Sequence, residues 1–376
     1  MEVYLDNSAT TAVFPQVADL MYKIMTEDYG NPSSMHQKGI VAEKYLRHAK
    51  EIFAGILKVS EKEIFFTSGG TESDNFAVIG SAMAGKRRGK HIITTNIEHP
   101  AILETFKFLE NEGFEVTFLP VNKDGHLEPD TLKAALKQDT ILVSVMYVNN
   151  EIGAIEPIAE LGKVIKDFNP EIIFHVDAVQ AFGKVKIAPY REKIDLLSIS
   201  SHKIHGPKGV GVLFIKDKTK IRPIVFGGGQ QKNMRSGTEN VPAIAAFGAA
   251  VQTYGSTVRE RYQAVTEKKA YLLERLQELP NCKIHSVEDA SPYIISFSLR
   301  PYRSEILLHF LEKREIFVSS GSACSKGKNS GVPVLFGATD AEADSILRVS
   351  LSAETPNTAL DALVSSLQEA TKTLLY

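Results

Sequence analysis

Several short stretches of this 376-residue chain set chemically capable side chains among small residues. In Thr67-Ser-Gly-Gly-Thr-Glu-Ser-Asp74 the glycines let backbone N–H groups close on an anion, Thr71 and Ser68 offer hydroxyls, and a helix starting there adds a favourable dipole. Taken singly, the same residues serve equally well as an ordinary helix cap. Asn96-Ile-Glu-His-Pro100 holds His99 before a proline and a helix, either as a ring to stack on a ligand or as a plain loop histidine. Val148-Asn-Asn-Glu-Ile-Gly153 puts two adjacent amides at a strand end, able to fix a ligand or simply to turn the chain. Asp177 stands just beyond an apolar strand, where an acid needs a cationic partner, and Gln180 follows it. Lys203 lies between a strand and a Gly-Pro turn; with its stem packed near the sheet, its amine would be partly desolvated and neutral near pH 7. Finally, Val318-Ser-Ser-Gly-Ser-Ala-Cys-Ser-Lys-Gly-Lys328 sets Cys324, one of 2 cysteines, among small residues and lysines rather than aliphatic ones.

An anion cradle, a stacking ring, an acid and a lysine each follow a predicted strand of one sheet. A cofactor with a phosphate, a pyridine nitrogen and an aldehyde uses all four. Pyridoxal phosphate is such a cofactor: lysine forms a Schiff base with its aldehyde and an acid pairs with the pyridinium nitrogen. The rival is a metal site from His175-x-Asp177 and His202-x-x-His205. Residues two apart on a strand share a face, but no thiol or third ligand group follows at a recognisable spacing, so no metal is expected.

These residues need a scaffold. Residues 36–57 carry a helical apolar stripe through Ile40, Val41, Tyr45, Leu46, Ala49, Ile52, Phe53, Ile56 and Leu57. Short β-rich runs then alternate with helical segments: Ile64–Phe66, His91–Thr95, Phe114–Leu119, Ile141–Tyr147, Ile172–Val176, Leu196–Ser200 and Val210–Ile215. Several are apolar throughout, which suits an α/β sheet covered on both faces. A long helical stretch follows from Val241 to about Leu279, broken near Gly255, and then a smaller α+β region containing a terminal helix from Asn357. We therefore expect a large domain at 13–255 and a small one at 256–376, with residues 1–12 added to it. Ligands in such sheets sit beyond the carboxyl ends of the strands.

Bulk composition narrows the classes. A net charge of −2 gives no global field to recruit nucleic acid or an anionic membrane, and no apolar run approaches the ~18 residues of a membrane span. The N-terminus lacks the basic-then-apolar order of a signal peptide. Two cysteines make no disulfide framework, which points to a reducing cytoplasm.

In their order and spacing, YLDNSATT, GNPSSMH, FTSGGTESDN, EHPAILE, VNNEIGAIEPI, HVDAVQ, SSHKIHGPKG, MRSGTEN, SSGSACS and LRVSLS resemble the cysteine desulfurases of the NifS/IscS type, within the class-V aminotransferase-like proteins of pyridoxal-phosphate fold type I. The resemblance runs over nearly the whole chain. It implies that Lys203 carries pyridoxal phosphate, that Asp177 keeps its ring nitrogen protonated and that His99 stacks on the ring and moves protons. It implies phosphate contacts from Gly70, Thr71, Ser200 and His202, and from Thr238 to the phosphate of the other subunit, hence a homodimer. Gln180 and Asn150 would lie near the ring hydroxyl and the substrate, and Arg348 would take the substrate carboxylate through a two-pronged contact. Cys324 would accept sulfur from L-cysteine, leaving L-alanine, and pass it to an acceptor such as an iron–sulfur scaffold or a tRNA-thiolation enzyme. A selenocysteine lyase, another class-V enzyme, or a scaffold without turnover are the alternatives. The run after the cysteine, CSKGKNSGVPVLFGAT, departs from the commoner serine- or threonine-rich pattern and leaves the acceptor open.

Cys324 must attack as a thiolate. A free thiol has a pKa of about 8.5, and the nearby Lys326 and Lys328 favour ionisation. A segment of ~10 residues spans about 33 Å when stretched, enough to collect sulfur inside and deliver it outside. Cys282, in NCKIHS, reads as structural.

Overall fold

The computed structural model describes residues 2–255, 257–320 and 334–374. Its largest layer is a seven-stranded sheet in the order Ile64–Thr67, Gly211–Ile215, Leu196–Ser200, Ile173–Asp177, Thr140–Met146, His91–Thr95 and Glu115–Leu119. Gly211–Ile215 runs antiparallel to both its neighbours, and every other pairing is parallel. The strands expected from the sequence all appear, each end within one residue of its expected place.

The pleat explains why these strands read as unbroken apolar runs. Val212 and Phe214 pack into one core with the helices Gln37–Leu57 and Val241–Gly255, while Leu213 and Ile215 pack into another with Gly70–Gly85 and Pro100–Asn111. Alternate side chains point to opposite faces, and both faces are covered. Within the first core, the predicted stripe on Gln37–Leu57 buries Leu46, Ala49, Phe53 and Leu57. A Cβ on Gly248 would sit 3.2 Å from the Ala49 Cβ, so small residues set how closely the two helices approach. The long helical stretch does break after Gly255 and resumes as Val258–Gln277.

A second, four-stranded antiparallel sheet is formed by Ser319–Ser320, Ile346–Ser350, Ile294–Leu299 and Cys282–Ile284. The N-terminal segment ties it to the strand ends of the large sheet. Val3–Tyr4 pairs in parallel with Ile316–Phe317. The Asn7 side-chain amide donates to the Ser350 carbonyl at 2.9 Å, the Thr11 N–H donates to the His202 carbonyl at 2.9 Å, and the Thr11 hydroxyl accepts from the His205 N–H at 2.7 Å. Among the described residues no helix is long and apolar enough to cross a membrane.

Candidate active site

Six strands of the large sheet point the same way, so Thr67, Thr95, Met146, Asp177 and Ser200 end at one edge. A cavity of about 390 Å³ opens there. Gly70, Thr71, His99, Asn150, Asp177, Gln180, Ser200, His202, Lys203 and Arg348 all line it. Thr238 does not; it is exposed, just after Gly237. Cys324 lies outside the described residues.

At one end stands the N-terminus of the helix Gly70–Gly85, which has no side-chain cap. Its first N–H groups are therefore left for a ligand. A Cβ on Gly70 would come within 2.8 Å of a Val179 methyl and 3.6 Å of the Ser200 Cβ, so only a bare backbone leaves the space open. Gly69 has φ of 153°, a conformation that favours glycine. Ser68 is diverted from the role its hydroxyl suggested, because it donates to Glu72, which in turn pairs with Arg235 at 2.7 Å.

Lys203 closes the short turn after Leu196–Ser200. Its amine donates to the carbonyls of Ser8 and Ala9, the latter at 2.9 Å. Asp177 ends its strand, buried, with one carboxylate oxygen accepting from the Val179 N–H at 2.9 Å. Burial pushes its pKa up, opposed by that hydrogen bond and by His99 and Lys203. Two further buried acids, Asp74 and Glu98, are pushed up well beyond their usual range, first by burial and then, for Asp74, by the Asp177 charge. Of the three, only Asp177 has its charged form favoured by Lys203 and His99.

His99 caps the helix Pro100–Asn111, with its Nδ1 accepting from the Ala101 N–H at 3.1 Å. Burial lowers its pKa, as does Lys203, against the pull of Asp177. A neutral ring that accepts at Nδ1 carries its hydrogen on Nε2, so His99 offers a donor. Burial likewise pushes His202 down to about 4.

The two adjacent amides divide their work. Asn149 is buried and builds the turn, accepting from the N–H groups of Glu151 at 2.9 Å and Ile152 at 3.0 Å, whereas Asn150 lines the cavity. Arg348 donates from Nη1 to the Asn150 carbonyl and from Nη2 to Asp6, both at 2.9 Å, and its buried Nε has no partner.

Sequence reasoning passed over Asp6, Asp74, Glu98 and the carbonyls of Ser8 and Ala9. Carbonyls leave no trace in side-chain identity, and YLDNSATT lies far along the chain from the residues it serves. The metal arrangement is answered by hydrogen bonding: His175 spends Nδ1 on the Ser144 hydroxyl at 2.8 Å and Nε2 on the Ser198 hydroxyl at 2.9 Å. Cys282, on a strand against the main core, has its thiol pushed up to about 11 by burial and is not a nucleophile near neutrality.

Residues 3–363 match the model of the aminotransferase class-V family. The chain belongs to the class-V aminotransferase family. A member from Clostridium botulinum named cysteine desulfurase IscS is 42% identical, covering 99% of this chain and 94% of its own. Another of that name, from Methanosarcina thermophila, is 44% identical over 86% of this chain and 80% of its own. A solved structure described as a NifS-like protein superposes with a TM-score of 0.95 at 36% identity over the whole of both chains. A structure described as SspA in complex with cysteine superposes at 0.83, with 31% identity over 95% of this chain and 100% of that one. Pyridoxal phosphate is the cofactor of these class-V relatives, and the cavity fits it: an uncapped helix N-terminus with a glycine cradle, a buried acid in need of a cation, and a lysine amine at one mouth.

Proposed function

We propose that this protein is an L-cysteine desulfurase, which uses pyridoxal phosphate to take sulfur from L-cysteine, releases L-alanine and holds the sulfur as a persulfide on Cys324 for an acceptor protein. The reading is carried by one juxtaposition. Lys203, Asp177, His99 and Arg348 share a cavity whose wall includes Ser320, four residues before Cys324. Four extended residues cover at most about 14 Å, a chain length short enough to let the thiol meet a substrate bound there.

Gly70, Thr71, Ser200 and His202 would hold the phosphate, Asp177 the ring nitrogen, Gln180 the ring hydroxyl and Lys203 the aldehyde. Bound there, pyridoxal phosphate supplies an electron sink that makes the substrate's α-hydrogen acidic and lets its carbon–sulfur bond break. Arg348 receives the substrate carboxylate with the guanidinium N–H groups that Asp6 and Asn150 leave unused. Lys203 moves the α-proton, and the carbonyls of Ser8 and Ala9 keep its ammonium at the cavity edge. His99 covers the ring and offers its Nε2 hydrogen. Cys324 attacks the substrate sulfur. The carbon–sulfur bond breaks and a sulfur–sulfur bond forms; the thiol's hydrogen is balanced by the one gained at the new methyl group. The carbon is reduced by the two electrons that the sulfurs lose, so no outside oxidant is required.

We further propose a cytoplasmic homodimer in which Thr238 serves the partner's phosphate site. It is supported by the exposure of Thr238, Met35 and Phe226, and by the scarcity of cysteine. The division into 13–255 and 256–376, with 1–12, belongs to the same reading, the small part carrying the Cys324 segment. The acceptor is an iron–sulfur scaffold or a tRNA-thiolation enzyme.

Turnover of the purified chain with L-cysteine and a thiol reductant tests the reading. Alanine and sulfide in equal amounts are expected, with both lost in Cys324→Ala while the yellow cofactor band at about 400–430 nm persists. Unchanged alanine production in that variant would favour a lyase, a keto acid formed from cysteine without alanine would favour a transaminase, and a colourless wild-type protein would favour a scaffold.

A further inference from the structure

The turn after the strand Ile173–Asp177 holds a third polar residue beyond Asp177 and Gln180. Residues 178–185 form consecutive turns: the Phe182 N–H donates to the Ala178 carbonyl at 2.8 Å, and the Lys184 and Val185 N–H groups donate to the Ala181 carbonyl at 2.9 Å, with Gly183 at φ of 75°. These turns bring the Lys184 amine back to Gln180, and its Nζ donates to the Gln180 Oε1 at 3.1 Å.

Lys184 is only 3% exposed. Its Nζ lies 5.6 Å from the centre of the Tyr293 ring, and the nearby charges that act on it, Lys203 and Arg348, are both cations. A buried lysine opposite cations is unfavourable unless something requires it. The Gln180 amide supplies that requirement. Burial, together with Lys203 and Arg348, pushes the Lys184 pKa down to about 7; with or without the extra proton its amine has hydrogens to donate, and the amide turns its oxygen toward them. On the amide's other side is the Ser8 carbonyl, which only accepts, and Gln180 Nε2 donates to it at 2.9 Å. Both contacts fit the same orientation. The nitrogen thereby keeps a second hydrogen for a ligand in the cavity that Gln180 lines. An ionised ring hydroxyl needs a donor there, and a flipped amide would set a carbonyl oxygen against it.

We propose that Lys184 is a positioning residue: it fixes the Gln180 amide so that nitrogen, not oxygen, meets the ring hydroxyl of pyridoxal phosphate. The inference rests on the functional reading given above and adds a residue that never touches the cofactor.

A double-mutant cycle on the full chain tests it. Protein freed of cofactor is titrated with pyridoxal phosphate, and the dissociation constant is read for wild type, Lys184→Met, Gln180→Ala and the double variant. Lys184→Leu is run in parallel, so that loss of fold in one replacement leaves the cycle complete. One hydrogen bond to a charged group corresponds to roughly tenfold in affinity. Lys184→Met and Gln180→Ala should each weaken binding by about that factor, and the double variant should be no weaker than Gln180→Ala alone. Losses that multiply in the double variant, or wild-type affinity in Lys184→Met, would overturn the proposal. A wild-type chain that binds no pyridoxal phosphate would instead bring down the functional reading on which it stands.

Discussion

Arg348, on the cavity wall, forms an ion pair with Asp6, Nη2 to Oδ1 at 2.9 Å, that joins the strand Ile346–Ser350 to the N-terminal segment. Burial pushes the Asp6 carboxyl up and Arg348 pulls it back, so the guanidinium is held in place by a carboxylate that depends on it. Replacing Arg348 by alanine should raise KM for L-cysteine by about 10- to 100-fold and leave the cofactor band intact. Lysine should restore little, because it cannot offer the planar fork. Steady-state kinetics on both variants checks this; an unchanged KM in the alanine variant would remove Arg348 from the substrate site.

Gly70 should tolerate no side chain. Its Cβ would meet a Val179 methyl at 2.8 Å within the phosphate cradle. Gly70→Ala should weaken pyridoxal phosphate by about tenfold or more and also lower the thermal midpoint of the cofactor-free protein, because the added methyl meets protein atoms that are there without the cofactor. Equilibrium titration with melting curves separates the two effects.

Lys203 should be the point of attachment. Borohydride reduction followed by peptide mapping should label residue 203, and Lys203→Ala should show no labelled peptide and lose about 10³-fold or more in turnover.

The sequence made this end of the site legible because polar residues at strand ends stand out. One apolar run stops at Asp177, and another β-rich run stops at Ser200, just ahead of Lys203; neither residue suits a plain sheet edge. The helix stripe through Leu46, Ala49 and Phe53 was readable for the same reason of period. Asp6, Ser8 and Asp74 were not. Ser8 reaches the cavity, and Asp6 reaches Arg348, only because the N-terminal segment crosses from Ser350 to His202, a tertiary path with no local signature. Asp74 sits one turn inside a helix, where an acid reads as surface until the sheet is seen to bury it. Asn149 and Asn150 looked alike and proved to divide structure from site.

Glu156 makes stability depend on pH. It is buried, with one oxygen accepting from the Leu127 N–H at 2.8 Å and the other without a partner, and burial pushes its pKa up to about 8. A carboxyl raised in the folded state favours folding below its unfolded value of 4.5, and that contribution is lost as pH rises through about 8. Glu156→Gln removes the loss. Its thermal midpoint should match wild type near pH 4.5 and exceed it above pH 8, by a stability difference of at most about 5 kcal/mol. Melting curves across that range check the sign, and a variant destabilised at every pH would contradict it.

The mass of the peptide bearing Cys324, measured after L-cysteine is added without reductant, tests the central claim most directly. One additional sulfur atom on that residue, with one alanine formed for each sulfur gained, is the predicted result. Alanine formed while Cys324 keeps its original mass would contradict the account.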